Sequence, residues 1–285
     1  VSTAASIQAT SPGRAFLPFV KMQGAGNDFM VIDAVTHALD LDWPRLAQAT
    51  ADRHFGVGHD GLLVISRDLG SGQLRMRMYN PDGTEDMCGN GLRCVARYAV
   101  DRGLAPRRSL VIDTLSGPRQ IDVLADGRVS VHMGPVPVVR SGTVETPVGR
   151  FAYVLLRPGT PHAVLLQAEL PDDELFLAAG PAIEHSPEFP ERVSVMWAVA
   201  QGPQLLRLRI WERSVGETLS CGTGACAAAV AALRAGVVEE PLTVRSRGGD
   251  LIITRDPVAP DSVIMTGSAE FIYEGRYPLP ERSMR

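Results

Sequence analysis

The chain has 285 residues, 45% of them hydrophobic, a formal net charge of −4 and four cysteines. That is enough for one large or two ordinary domains with buried cores. Phosphate binding needs clustered cations and there is no basic tract, so nucleic acid is not expected as a partner. Four cysteines with no CxxC pair make neither a disulfide scaffold nor a zinc ribbon.

Residues 1–16 are small and polar, without a basic start or an apolar core, and read as a disordered lead-in rather than a signal peptide. An amphipathic helix is expected over 43–53 and a strand over 62–66. A period-two strand, Leu74-Arg-Met-Arg-Met-Tyr79, follows. The first clear helix runs over 89–102 and stops at Gly103. Strands are expected over 109–114 and 128–132. The Pro/Gly/Thr-rich stretch 135–149 reads as a linker. Beyond it come a strand over 153–156, a helix over 171–179 and the period-two strand Leu206-Arg-Leu-Arg-Ile-Trp211. An alanine-rich helix over 222–235 stops at Gly236, and a strand covers 251–254. The longest apolar stretches, such as 225–233, fall far short of a membrane span. No membrane association is expected, and a reduced, cytoplasmic setting is the default.

The second series of elements repeats the first. Leu74–Tyr79 returns as Leu206–Trp211 at an offset of 132. Gly83-x4-Cys88-Gly-Asn-Gly91 returns as Gly216-x4-Cys221-Gly-Thr-Gly224 at 133. Gly26-Asn-Asp-Phe-Met-Val-Ile32 aligns with Gly159-Thr-Pro-His-Ala-Val-Leu165, Gly103 with Gly236, Gly117 with Gly249 and Gly134 with Gly267. This is a duplicated domain. The fold class is α+β: two pseudo-symmetric halves, about 17–140 and 150–277, each a mostly antiparallel or mixed sheet wrapped around a central helix.

Both Cys-Gly-x-Gly motifs set a thiol just before a helix, where uncovered N–H groups bind anions and favour thiolate. Two like halves facing each other would bring Cys88 and Cys221 to one substrate carbon. One thiolate would remove a proton from one face, and the other thiol would deliver a proton to the opposite face. The helix N–H groups would hold an α-carboxylate and the charge that develops on it. Cys94 and Cys226, inside the helices, read as buried and inert.

Four segments carry a family resemblance: Lys21-Met-Gln-Gly-Ala-Gly-Asn-Asp-Phe29, Tyr79-Asn-Pro-Asp-Gly-Thr-Glu85, Met87-Cys-Gly-Asn-Gly-Leu-Arg-Cys94 and Trp211–Cys226. Together they resemble diaminopimelate epimerase. The resemblance implies interconversion of LL- and meso-diaminopimelate without pyridoxal phosphate or any other cofactor, on a fold of two pseudo-symmetric domains. By position it makes Cys88 and Cys221 the catalytic pair, with His162 and Glu212 assisting. It makes Gly89, Asn90, Gly222 and Thr223 the hold on the reacting amino acid, and Asn27, Asn80, Glu212 and Arg213 further substrate contacts. Arg213 suits a carboxylate and Glu212 an ammonium. Thr160 and Ser194 stand where the family usually has asparagines that hold the distal end of the substrate, with less reach and no paired donor and acceptor. The resemblance also implies that residues 271–285 pack back on the first half, and a homodimer is the expected assembly.

Rival readings remain at this level. A related two-cysteine racemase of another amino acid, such as histidine, fits the altered distal positions. Gly56-Val-Gly-His-Asp-Gly61 formally matches a dinucleotide loop, but it lies after a helix and before a strand, the reverse of what that motif needs. A pyridoxal-phosphate enzyme would have to use Lys21, the sole lysine. His54, His59 and His162 lack metal-ligand spacing, and no metal is expected.

Overall fold

The structure is a computed structural model and describes residues 15–279 except 38, 40 and 69. It divides into two compact units, one of residues up to 129 together with those from 268 onward, the other of residues 130–267. The sequence-derived lead-in lies almost wholly outside the described residues.

The first unit contains β1 (Phe16–Gly24), β2 (Asn27–Asp33), α1 (Trp43–Ala51), β3 (Gly61–Arg67), β4 (Leu74–Tyr79), β5 (Glu85–Asp86), α2 (Gly89–Asp101), β6 (Ser109–Asp113) and β7 (Arg119–Val123). The last strand of the chain, β18 (Glu270–Pro278), completes it. Its ladder runs β18-β1-β2-β3-β4-β6-β7, with β2–β3 and β4–β6 parallel and the rest antiparallel. The short β5 folds back on β4.

The second unit contains β8 (Val129–Pro135), β9 (Val138–Thr146), β10 (Gly149–Leu156), β11 (His162–Leu166), α3 (Asp173–Glu184), β12 (Ser194–Ala200), β13 (Leu205–Glu212), β14 (Gly216–Thr218), α4 (Gly222–Arg234), β15 (Leu242–Ser246), β16 (Gly249–Arg255) and β17 (Ser262–Gly267). Its ladder runs β9-β10-β11-β12-β13-β15-β16-β17-β8.

The repeat persists down to hydrogen-bond register. Phe29 faces Gly61 across the parallel β2–β3 pair, and His162 faces Ser194 across β11–β12, each at the 133 offset. Leu74 faces Ile112, and Leu206 faces Val244, at 132. The fork of Arg77 on Glu85 returns as Arg209 on Glu217, so the same ion pair pins each hairpin that leads to a cysteine.

Strand parity decides what faces each helix. In the first unit Met30, Ile32, Leu62 and Val64 pack with Leu46 and Ala47 of α1. The alternate residue Leu63 lies against Gly91 of α2. In the second unit Ala163, Leu165, Val195 and Trp197 pack with Phe176, Ala179 and Ile183 of α3. His162, Ser194 and Met196 have the opposite parity, and Met196 lies against Gly224 of α4. Both faces of the central strands are covered, which is why β2, β3, β11 and β12 read as near-continuous apolar runs.

The stretch read as a linker is instead β9, paired with β10 from Val138 to Thr146. Its Val and Thr residues are β-branched and suit a strand, but most of it is exposed, so no apolar alternation announced it. The second unit therefore begins near residue 130 rather than 150. Residues 271–278 lie on β18, paired with β1 in the unit that holds the N-terminal strands. The second amphipathic helix of that half runs to Glu184 rather than stopping at 179. It is capped by Asp172, which accepts from the Leu175 N–H, and Pro181 is tolerated in its last turn.

Candidate active site

Each candidate thiol is the N-cap residue of the central helix of its unit, in extended backbone: Cys88 for α2 and Cys221 for α4. Gly83 (φ 87°) and Gly216 (φ 96°) turn the chain in the left-handed region five residues earlier. Gly91 and Gly224, three residues after each cysteine, admit the sheet closely. A Cβ at Gly91 would stand 2.8 Å from Leu63 Cδ2, and one at Gly224 would stand 2.5 Å from Met196 Sδ and 3.2 Å from Cys221 Sγ.

In the first unit the Gly91 N–H reaches Cys88 Sγ at 3.4 Å, and Sγ lies 3.5 Å from Asn27 Oδ1. Asn27 Nδ2 donates to Asp60 Oδ2 at 2.8 Å, which fixes which end of the amide meets the sulfur. Asn90 is buried in the first turn of α2 and accepts from Arg93 at 2.9 Å. Gly89 is buried beside it. Asn80 sits in the β4–β5 turn, bonded to Thr84 through both its N–H and its Nδ2. Lys21, 4% exposed, is ion-paired with Asp28 at 2.6 Å and donates to the Gly58 carbonyl.

In the second unit Cys221 Sγ lies 3.8 Å from His162 Nε2 and 3.6 Å from Thr223 Oγ1, and those two are 3.1 Å apart. The Thr160 carbonyl stands 2.7 Å from His162 Nδ1. A carbonyl only accepts, so Nδ1 carries the proton and Nε2 presents its lone pair toward the sulfur. Burial holds His162 neutral, its pKa lowered to about 4, with the nearby Arg213 charge acting the same way. The Cys221 thiol is pushed well above its ordinary value, first by burial and then by the Glu212 carboxylate. This corrects the expectation that the helix start would favour thiolate there. A helix terminus supplies about 0.3–2 kcal/mol, on the order of one pKa unit. Full burial shifts a group by up to about 3–5 units. Cys94 is likewise pushed up by burial, to about 12.

Glu212 accepts from Thr218 Oγ1 at 2.6 Å. Ser194 Oγ accepts from the Arg213 N–H at 3.1 Å, so it orders the Glu212–Arg213 turn. Thr160 is exposed and is tied to His162 through its backbone. Within their units the structure gathers Cys88 with Asn27, and Cys221 with His162, Glu212, Thr223 and Gly222. Two residues escaped the sequence reading. Asp60 was seen only as part of the rejected glycine loop. Glu184, on α3, is buried and accepts from Trp211 Nε1 and the Ser214 N–H at 2.8 Å each, anchoring the turn that carries Glu212 and Arg213. No local signal marked Glu184, because the groups of that turn are 27 and 30 residues away, although Arg192, eight residues on, also donates to it.

The diaminopimelate epimerase family model matches residues 19–139 and 154–272. A diaminopimelate epimerase from Azotobacter vinelandii is 42% identical over 278 residues, covering 92% of this chain and 99% of its own length. One from Moorella thermoacetica is 40% identical over 281 residues, with the same coverage. The chain belongs to the diaminopimelate epimerase family. It is thus an isomerase of the epimerase class. Among solved structures, a probable proline racemase from Agrobacterium radiobacter K84 matches with a TM-score of 0.70 at 16% identity, over 93% of this chain and 94% of that one. A hydroxyproline epimerase from Agrobacterium vitis matches at 0.68 and 16%, over 93% of each. These likenesses show that the two-unit mixed α/β fold of the family is shared more widely. Among the described residues of this family member, no helix is long and apolar enough to cross a membrane, and no group of three or more His, Cys, Asp and Glu is gathered as for a metal ion.

Proposed function

We propose that this chain interconverts LL- and meso-2,6-diaminopimelate, with Cys88 and Cys221 exchanging the α-proton from opposite sides of one carbon. One thiolate takes the proton. The electron pair left on carbon delocalises into the α-carboxylate, and the other thiol gives its proton to the opposite face, inverting the centre. The N–H groups of Gly89, Asn90, Gly222 and Thr223 serve the carboxylate and its developing charge. Arg213 and Glu212 serve the charged groups of the amino acid. In the substrate-free protein Cys221 is a thiol, ready as an acid. When it must act as base, the bare Nε2 of His162 stands by to receive its proton. No cofactor enters the scheme, and Lys21, engaged with Asp28, holds an ion pair rather than a Schiff base.

The observation that carries this reading is the pair of equivalent cysteine caps in a chain 42% identical to a diaminopimelate epimerase over 92% of its length. The reactive thiols suit a reducing compartment, so a cytoplasmic location is part of the proposal, as is a homodimer, which light scattering checks. A second reading, racemisation of another amino acid such as histidine, draws on Ser194, whose hydroxyl is spent on the Arg213 N–H. Exchange of the α-proton in D₂O across diaminopimelate isomers and common amino acids tests both. Exchange confined to diaminopimelate is expected. Turnover of histidine or another amino acid without diaminopimelate would sink the first reading.

A further inference from the structure

We infer that Asp60 is a positioning residue for Cys88, acting through the side-chain amide of Asn27 to keep the thiol protonated until substrate arrives. The inference rests on Cys88 being one of the two acid–base thiols. Asn27 is half-buried at the start of β2, and its amide can be turned either way. Asp60 removes that choice. Its Oδ2 accepts from Asn27 Nδ2 at 2.8 Å and from the Asp28 N–H at 3.1 Å. A flipped amide would set its carbonyl oxygen against a carboxylate, with no proton between two acceptors. The Asn27 carbonyl is therefore the end that meets Cys88 Sγ, at 3.5 Å, and only a thiol can donate to it. A hydrogen bond that requires the protonated form disfavours its loss of a proton.

The carboxylate is itself held. Arg53 donates to Asp60 Oδ1 at 2.8 Å while forking onto both oxygens of Asp28, at 2.8 and 3.1 Å. Lys21 joins Asp28 from below, in β1. The charged groups around the amide are thus Asp60, Asp28, Arg53 and Lys21, two of each sign, so the array fixes geometry while adding little net charge. The second unit has no such device at the equivalent position. Thr160 stands where Asn27 does, and Val193 where Asp60 does, while Cys221 has His162 and Glu212 instead. The two thiols are held in the protonated form by different means, which lets each be tuned alone.

The test measures alkylation of Cys88 by iodoacetamide against pH, with Cys221→Ala in every chain so that the half-buried Cys88 reports beside the fully buried Cys94 and Cys226. Asp60→Asn frees the Asn27 amide to turn its N–H toward the sulfur and so favour thiolate. The expected result is a rate below the thiol's midpoint raised about threefold or more, a shift of roughly half a pH unit. Removing a negative charge would by itself act in the same direction, so the comparison is repeated with Asn27→Ala. The part of the shift that acts through Asn27 is then lost, so Asp60→Asn has a clearly smaller effect in that background. An equal shift in both backgrounds, or none in either, overturns the inference. Should Asp60→Asn unfold the chain by circular dichroism, the Asn27 side-chain amide protons of the unaltered protein are followed by NMR through acid titration. Failure of those protons to respond to protonation of their carboxylate partner overturns it equally. Proton exchange on diaminopimelate by the unaltered chain is measured alongside. If exchange occurs and the Asp60 effect does not, this inference fails and the proposed function stands. If exchange is absent, the proposed function fails whatever Asp60 does.

Discussion

At the scale of single residues, the two thiols have identical places on their helices and different surroundings. Cys88 meets a carboxamide, whereas Cys221 meets a neutral imidazole and a carboxylate. In the proposed scheme each serves as base in one direction and acid in the other, so Cys88→Ala and Cys221→Ala should each lower epimerisation by at least about 10²-fold with the circular dichroism unchanged. Full activity in either single variant would refute the two-thiol scheme. His162 and His59 are both buried and neutral, each with its pKa lowered from 6.5 to about 4, chiefly by burial. As the pH falls below 6.5 the unfolded chain takes up protons that the folded chain refuses. Stability contributed by the neutral histidines is therefore complete above about 6.5, drains away down to about pH 4, and falls no further below that. For His162 the full span is on the order of 3 kcal/mol. Urea unfolding at pH 7 and pH 5 should show the loss, and His162→Gln should remove the share of His162 while leaving that of His59.

At the scale of elements, the helix that carries each cysteine is seated by a glycine one turn in. Alanine is ordinarily better than glycine inside a helix by about 1 kcal/mol. At Gly224 that gain is outweighed, because Met196 is fully buried and the Cys221 sulfur stands 3.2 Å from the new Cβ. Overpacking of this kind costs about 1–3 kcal/mol. Gly224→Ala should therefore lower the melting temperature by a few degrees and reduce activity more than Gly91→Ala, whose Cβ meets only Leu63 and Phe29. Equal activities of the two variants would show that crowding at Cys221 Sγ is without consequence. The two central helices with their stops at Gly103 and Gly236, and the period-two strands, were legible because each is a local pattern. Strand β9 was not, since its exposed residues alternate with nothing and its partner, β10, supplies the reason it is a strand.

At the scale of the molecule, the last strand belongs to the first unit. β18 pairs with β1 along Phe16–Gln23, and just before it the Ser268 carbonyl accepts from the buried Arg93 guanidinium at 3.0 Å. Phe271 lies against Tyr98 of α2, with Arg102 over its ring. Deleting residues 268–285 would strip a whole edge from the sheet and one acceptor from a buried cation, a loss of several kcal/mol. Such a shortened chain should show no cooperative transition for the first unit in a thermal melt. A normal melt would mean that β1 is held by β2 and α2 alone.

The sequence by itself determined the duplication, the α+β class, the two cysteine caps and the family, because these reside in spacing and in residue type along the chain. It also marked most of the residues gathered around each thiol. Tertiary packing alone pushes the Cys221 thiol above its ordinary pKa, where a helix start suggested a lowered one. Burial and the carboxylate of Glu212 outweigh the helix terminus, and neither is visible in a local pattern. Only the structure turned Asp60 and Glu184 from unremarked carboxylates into groups that orient Asn27 and the Glu212–Arg213 turn. The groups they orient lie 27 to 33 residues away along the chain, a distance that sheet register and helix packing close and that sequence spacing does not record.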